Sequence, residues 1–195
     1  MTESVLIPMF PLTLLPLPGE LVPLHIFEPR YKQLLEEAES QDVSFGIYFN
    51  HETNAEKIGS LMKLESVIKR YPGGESDIIV KCIDIFSMSV LYRTFNEKLY
   101  PGGDVNLWKI DMTLIPRDQL QELFREFINH RNISKQTTAF TVFQIANELN
   151  MDFAERYSLL LSSDERREKI LQNRIRLLIH VLNQEIKSKD VYHLN

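Results

Sequence analysis

The sequence predicts an α+β fold, with strands gathered in the first half and helices in the second. The first observation is a change of period. Up to about residue 112 the apolar residues form short runs or alternate with polar ones, as strands do. From 117 to 188 they recur every three to four residues, as helices do. Pro116 stands between the two regimes. The composition adds that 195 residues, 44% apolar and 25% charged, suffice for one large core or two small ones. The expected division is a β subdomain over 1–115 and an α-helical subdomain over 116–195.

Val5 to Phe10 reads as a first strand, and Pro8 suggests an edge position because proline cannot donate to a ladder. Pro11 to Glu20 is too rich in proline for a helix or a central strand, and Pro18-Gly19 is a turn signal. Val22 to Phe27 resumes an extended run. Pro29 then suits the first turn of a helix over about 29–39, with Tyr31, Leu34, Leu35 and Ala38 on one face. Phe45, Ile47 and Phe49 mark a strand. Met62 to Lys69 alternates as a strand with one wet face, turns at Tyr71-Pro72-Gly73-Gly74, and returns from Ile78 to Phe86 or beyond as a hairpin. A second Tyr-Pro-Gly-Gly, at 100–103, is read as turn chemistry used twice, before a short strand from Val105 to Met112.

In the second half, Leu120, Leu123, Phe124, Phe127 and Ile128 make the broad stripe of an amphipathic helix. Thr138 is placed to cap a second helix. Asp152 with Glu155, and Ser162 with Glu165, fit capping boxes for a third and a fourth. The fourth, about 163–188, is roughly 37 Å long at the α-helical rise. Leu171, Ile175, Leu178, Leu182 and Ile186 line its apolar face, with room for a projecting end around Gln184 to Asp190. Arg166, Arg167, Lys169, Arg174 and Arg176 make its first half basic, which reads as a solvated face.

The chemistry is sparse. A formal net charge of -5 gives no overall attraction for phosphate backbones, so nucleic acid is a poor partner. Cys82 is the one cysteine, which excludes an internal disulfide and any multi-cysteine metal site; within a β-branched run it reads as a buried, inert thiol. His25, His51, His130, His180 and His193 are scattered, and none pairs at metalloprotease spacing. His25, inside an apolar run, reads as a structural histidine. Asn132-Ile133-Ser134 matches a glycosylation pattern that has meaning only in a secreted chain. Seven glycines form neither a phosphate loop nor a nucleophile elbow. No catalytic residue, metal or cofactor is expected. The start has no basic signal region and no apolar run nears membrane-spanning length, so a cytoplasmic location is expected.

One stretch is specific. Ile7-Pro8-Met9-Phe10-Pro11-Leu12, then Pro18-Gly19, then Val22-Pro23-Leu24-His25-Ile26-Phe27-Glu28-Pro29-Arg30-Tyr31, resembles the N-terminal domain of Lon proteases. Ile58-Gly59-Ser60-Leu61, the hairpin from Lys69 to Ile85, and Phe140 to Leu161 followed by Asp164-Glu165-Arg166-Arg167 are also similar to that family. Cys82 to Phe86 departs from its pattern, and the likeness is weakest over 86–112. The resemblance implies a PUA-like mixed β-barrel with a short helix, followed by a C-terminal helical bundle ending in a long helix. It implies a substrate-recognition role, with the ATPase and Ser-Lys protease domains of full-length Lon absent from these 195 residues.

The expected function is a non-enzymatic module for unfolded or extended polypeptide, or for one specific protein partner, delivering it to a protease or chaperone system. RNA binding is the alternative that a PUA-like fold suggests. Leu14, Leu15, Leu17, Pro18 and Leu21 are the candidate polypeptide-binding residues. Proline-broken backbone leaves them two fates, an exposed apolar patch or an irregular core segment. Glu28, Arg30 and Tyr31 form either a structural corner or a binding feature.

Overall fold

The computed structural model describes residues 4–131 and 139–192, with 185–192 in backbone only. The chain divides into two compact units, Met1–Asp111 and Met112–Asn195.

The first unit contains β1 (Val5–Pro11), β2 (Leu21–Ile26), α1 (Pro29–Gln41), β3 (Phe45–Tyr48), β4 (Ile58–Arg70), β5 (Ser76–Tyr92) and β6 (Gly102–Leu107). The sheet order is β2-β5-β4-β3-β1-β6, and β5 also pairs with β6. Five strands therefore form a closed circuit of pairings, and among the described residues β2 is attached to β5 alone. The length of β5 makes this possible. Ser76–Lys81 pairs with β2, Phe86–Tyr92 pairs with β6, and β4 occupies the opposite edge. All pairings are antiparallel except β1–β3, whose strands are joined through β2 and α1.

Phe86 sits at the centre of the core, fully buried with Ile7, Met9, Tyr48, Leu61, Met88 and Val105 around it. The ring lies so close to β3 and β4 that a Cβ on Gly59 would sit 2.3 Å from it, and one on Gly46 would sit 2.9 Å away. These two positions require glycine for the strands to approach. Over α1, Tyr31, Leu34, Leu35 and Ala38 are buried as their spacing predicts. They pack with Phe10, Ile26, Phe45 and Ile78 around a void of only about 10 Å³.

Two strand expectations are corrected. β1 is not an edge strand, because Val5–Pro8 pairs with β6 and Met9–Pro11 pairs with β3. Pro8 is tolerated because it falls in the half that has a ladder on one side only. The second Tyr-Pro-Gly-Gly is not a turn. Gly102 and Gly103 open β6, which ends at Leu107, since Cβ atoms there would press on Phe95 at 2.9 Å and Met9 at 3.0 Å. The reversal lies earlier, where Phe95 N–H donates to the Tyr100 carbonyl and Lys98 N–H to that of Phe95.

The second unit holds α2 (Asp118–His130), α3 (Val142–Asn147), α4 (Phe153–Leu161) and α5 (Asp164–Tyr192). Leu120, Phe124, Phe127 and Ile128 of α2 are buried. Gln121 straps this helix to the next segment: its amide donates to the Phe140 carbonyl at 2.6 Å and accepts the Phe140 N–H at 3.0 Å. The cap expected from Thr138 lies outside the described residues; α3 is capped by Thr141 in a capping box with Gln144. Asp152 and Glu155 form theirs on α4 as expected. Ser162 does not cap α5. It ends α4, its hydroxyl donating back to the Ser158 carbonyl at 2.7 Å, and α5 starts after it with Leu171, Ile175 and Ile179 buried.

The basic half of α5 is also not uniformly solvated. Arg167 is buried and donates to the Leu159 and Ser162 carbonyls, both at 3.1 Å, and to the Asp164 carboxylate at 2.7 Å, closing the end of α4. Arg174 reaches the Asn150 carbonyl and pairs with Glu155.

In the first unit, Tyr100 is fully buried and donates its hydroxyl to Glu37 at 2.6 Å, while Lys98 donates to the same carboxylate at 3.0 Å. These bonds, with the Leu99 N–H donated to Gln33, tie α1 to the β5–β6 loop. Burial alone would raise the Glu37 pKa, but the Tyr100 hydroxyl and the Lys98 ammonium outweigh it and hold the carboxyl below its ordinary 4.5. A carboxyl lowered in the folded state stabilises the fold above its unfolded pKa, and that contribution is lost as pH falls through the folded value. Glu37→Gln should therefore lower the urea midpoint clearly at about pH 7 and progressively less as pH falls through about 4 and below. A midpoint difference that stays constant over this range would show that the carboxylate charge plays no part.

Candidate functional site

The proline-rich segment after β1 divides in two. Its inner part, Leu15 to Pro18, is buried. The Pro16 carbonyl accepts the Ser60 hydroxyl at 2.6 Å and lies 3.6 Å from the Cys82 sulfur. Leu17 N–H donates to the Glu20 carboxylate at 2.8 Å. Glu20 N–H returns to the Leu17 carbonyl at 2.9 Å, closing a turn whose third residue, Gly19, has φ +81°. That is the type II geometry that Pro-Gly favours. Gly19 N–H then donates to the Cys82 carbonyl and Cys82 N–H to that of Glu20, which leads the chain into β2. Burial pushes the Cys82 thiol far above its ordinary pKa and leaves it inert.

The two fates open to the candidate residues are both taken. Leu15, Leu17 and Pro18 belong to the core segment, with Leu15 3% and Leu17 0% exposed, and no ligand can reach them without unfolding it. Leu14 and Leu21 are exposed, at 41% and 55%.

Leu14 borders a cleft of about 440 Å³. One wall is Leu12 to Leu14, the other is Pro23 to His25 of β2, and Phe27 stands at the rim, 60% exposed. Phe10 and Tyr31 also line it; both are buried and stack with ring centres 3.8 Å apart. Leu21 lies on β2 outside this lining. Glu28 and Arg30 make the corner that leads into α1. Arg30 donates to the Glu28 carboxylate at 2.9 Å and its guanidinium lies 4.6 Å over the Tyr31 ring. The Glu28 carbonyl accepts the N–H groups of Tyr31 and Lys32, both at 3.0 Å.

His25 is satisfied, though on the surface and not within an apolar core. It stands opposite Asp77 in the β2–β5 ladder, and its Nδ1 is 2.6 Å from that carboxylate. Tyr71 donates its hydroxyl to the other Asp77 oxygen at 2.6 Å. The Tyr71 hydrogen bond, then His25, hold the Asp77 carboxyl below its ordinary 3.8. His25 and Asp77 are 52 residues apart in sequence, and no local pattern announces their pairing. The charged groups beside the cleft are thus paired with each other, and its lining is mostly apolar.

A smaller cleft of about 260 Å³ in the helical unit is lined by Phe127, Leu149, Leu178 and Val181 among others. Among the described residues no group of three or more His, Cys, Asp or Glu could hold a metal ion, and no helix is long and apolar enough to cross a membrane.

Comparison with known families decides the relationship. A model of the ATP-dependent protease La (LON) substrate-binding domain matches residues 6–174. The chain belongs to this family. Among solved structures, a Lon N-terminal domain protein from Xanthomonas campestris has a similar fold, with a TM-score of 0.64 at 20% identity, covering 90% of this chain and 98% of that one. The N-terminal domain of the Mycobacterium avium complex Lon protease matches at 15% identity and a TM-score of 0.49, over 92% and 98%. No curated protein sequence matches. In this LON substrate-binding domain, the residues that carry the family resemblance in sequence, from Ile7 to Tyr31, are also those that build the cleft and its support.

The split of the proline-rich segment has a measurable consequence. Leu17→Ala should cost about 2–5 kcal/mol of unfolding free energy in urea titrations, as for other fully buried leucines. Leu14→Ala should change it by about 0.5 kcal/mol or less. Equal costs at the two positions would contradict the burial pattern.

Proposed function

We propose that this LON substrate-binding domain is a non-catalytic, cytoplasmic module that captures polypeptide in the cleft between Leu12–Leu14 and β2, presenting it to a protease or chaperone system. The observation that carries the proposal is the cleft itself. It is a mostly apolar depression with Leu14 and Phe27 exposed at its margin, held on a rigid floor of stacked Phe10 and Tyr31. Exposed apolar groups of this kind gain by covering one another, and unfolded chains offer such groups where folded proteins hide them.

Fluorescence anisotropy of a labelled, permanently unfolded polypeptide, at low and high salt, tests this. Saturable binding that survives high salt is the expected result, since burial of apolar surface is not screened. Phe27→Asp and Leu14→Asp, both at exposed positions, should each weaken binding about tenfold or more, which corresponds to about 1.4 kcal/mol. Binding that vanishes at high salt, or that ignores both substitutions, would refute this site.

A further inference from the structure

The wall formed by β2 is a strand edge, and its backbone is the feature of the cleft that side-chain chemistry leaves unused. β2 pairs with β5 and, among the described residues, with no other strand. Which groups face outward follows from the register. Cys82 N–H donates to the Glu20 carbonyl, and hydrogen-bonded positions alternate along an antiparallel pair. Val22, Leu24 and Ile26 therefore turn their N–H and C=O groups toward Val80, Ile78 and Ser76 of β5. Leu21, Pro23 and His25 turn theirs away from β5. Pro23 supplies a carbonyl there and no donor, which is the side of a strand where proline does no damage. The opposite wall does not use these groups, since Leu12 N–H donates to the Tyr48 carbonyl and residues 12–14 belong to no strand.

We infer that the cleft takes its polypeptide as an extended strand added to the outer edge of β2, recognised through its main chain, with apolar side chains of the guest covering Leu14 and Phe27. This rests on the polypeptide-binding reading above and specifies its geometry. Strand addition suits a receptor for many sequences. The main chain is common to all of them, and the side chains of alternate residues need only be apolar enough to lie on the cleft floor. The helical unit's cleft offers no such edge, because helix backbone groups are satisfied within the helix.

The test uses the full chain and three fluorescein-labelled peptides of alternating leucine and serine with lysine at both ends. One is unmodified, one carries N-methyl groups on its leucines, and one carries them on its serines. Each residue of a strand directs its N–H to one edge, so only one methylation pattern blocks the edge facing β2. The expected result is that one methylated peptide binds at least about tenfold more weakly, while the other stays within about threefold of the unmodified peptide. On the protein side, His25→Pro should weaken binding well beyond His25→Ala, since both lose the imidazole and only the former loses the outward N–H; near-UV circular dichroism confirms that both are folded. Equal binding of all three peptides would overturn strand addition and leave side-chain capture standing. Equal loss from both methylated peptides would show an effect on peptide conformation and overturn it too. Failure of even the unmodified peptide and the unfolded polypeptide to bind would remove the proposed function itself. Self-association of the free protein that peptide fails to reverse, measured by sedimentation, would assign the edge to a second copy and overturn the inference.

Discussion

The shortage of backbone donors between Pro8 and Pro23 is the constraint on which the first unit depends. Prolines at 8, 11, 16, 18 and 23 remove five N–H groups from a stretch of sixteen residues, and a sheet cannot run unbroken through a segment that cannot donate. β1 therefore ends at Pro11, and the chain crosses to β2 with the Pro16 and Glu20 carbonyls satisfied from outside the segment. The Ser60 hydroxyl on the Pro16 carbonyl is the clearest case, a buried bond between residues forty-four apart. Leu15 to Pro18 is fastened inside, and β1 takes its partners from β3 and β6 while β2 pairs with β5. Leu12 to Leu14, just beyond β1, then face β2 across a gap, and the cleft is that gap.

The rest of the unit keeps the gap from collapsing. A long β5 lets one strand serve both β2 and β6, so the circuit closes at one end around Phe86 while β2 is held out at the other. The glycines under Phe86 set how closely β3 and β4 approach, since a methyl group at either would need space the ring already fills. α1 packs Tyr31 against Phe10 and thereby fixes the floor. The Lys32 ammonium on the Gly73 carbonyl holds the same helix to the β4–β5 turn. The Glu37–Tyr100 bond holds it to the β5–β6 loop. A side chain entering the cleft meets groups already fixed in place, so little ordering of the protein is needed on binding.

How much of this was legible in sequence depends on whether the cause was local. Helix α1 and the Asp152–Glu155 capping box were readable because spacing and caps act within a turn or two. Asp152 with Glu155 shows this well. The strand runs were readable for the same reason, and the density of motif from Ile7 to Tyr31 revealed the family. Ser162 was misread locally, its hydroxyl bonding back to the Ser158 carbonyl, and the other failures were non-local. Gly102 and Gly103 looked like a turn because glycine usually serves turns, and only the pressure of Phe95 and Met9 explains them in a strand. Arg167 looked solvated until the carbonyls at the end of α4 came to meet it. Within the candidate site, composition identified the right segment but left burial undecided at each leucine. Leu14 and Leu15 are neighbours with opposite fates because the Pro16 anchor lies just beyond them.

An edge that no described strand pairs with, beside exposed leucine and phenylalanine, carries a hazard, because such an edge also recruits other copies of the chain. The features that limit the hazard are those that shape the cleft. β2 is only six residues long. Pro23 removes a donor from the middle of its outer edge, so no continuous ladder can form along it. Leu12 to Leu14 stand across the gap and narrow the approach. A whole sheet edge needs a long, flat run of donors and acceptors, and a single flexible segment needs only a few. An edge that is short, interrupted and recessed therefore discriminates by shape and backbone freedom, disfavouring folded sheets while leaving room for one loose strand. The prolines that break the sheet thus create the gap between Leu12–Leu14 and β2 and also restrict what can fill it.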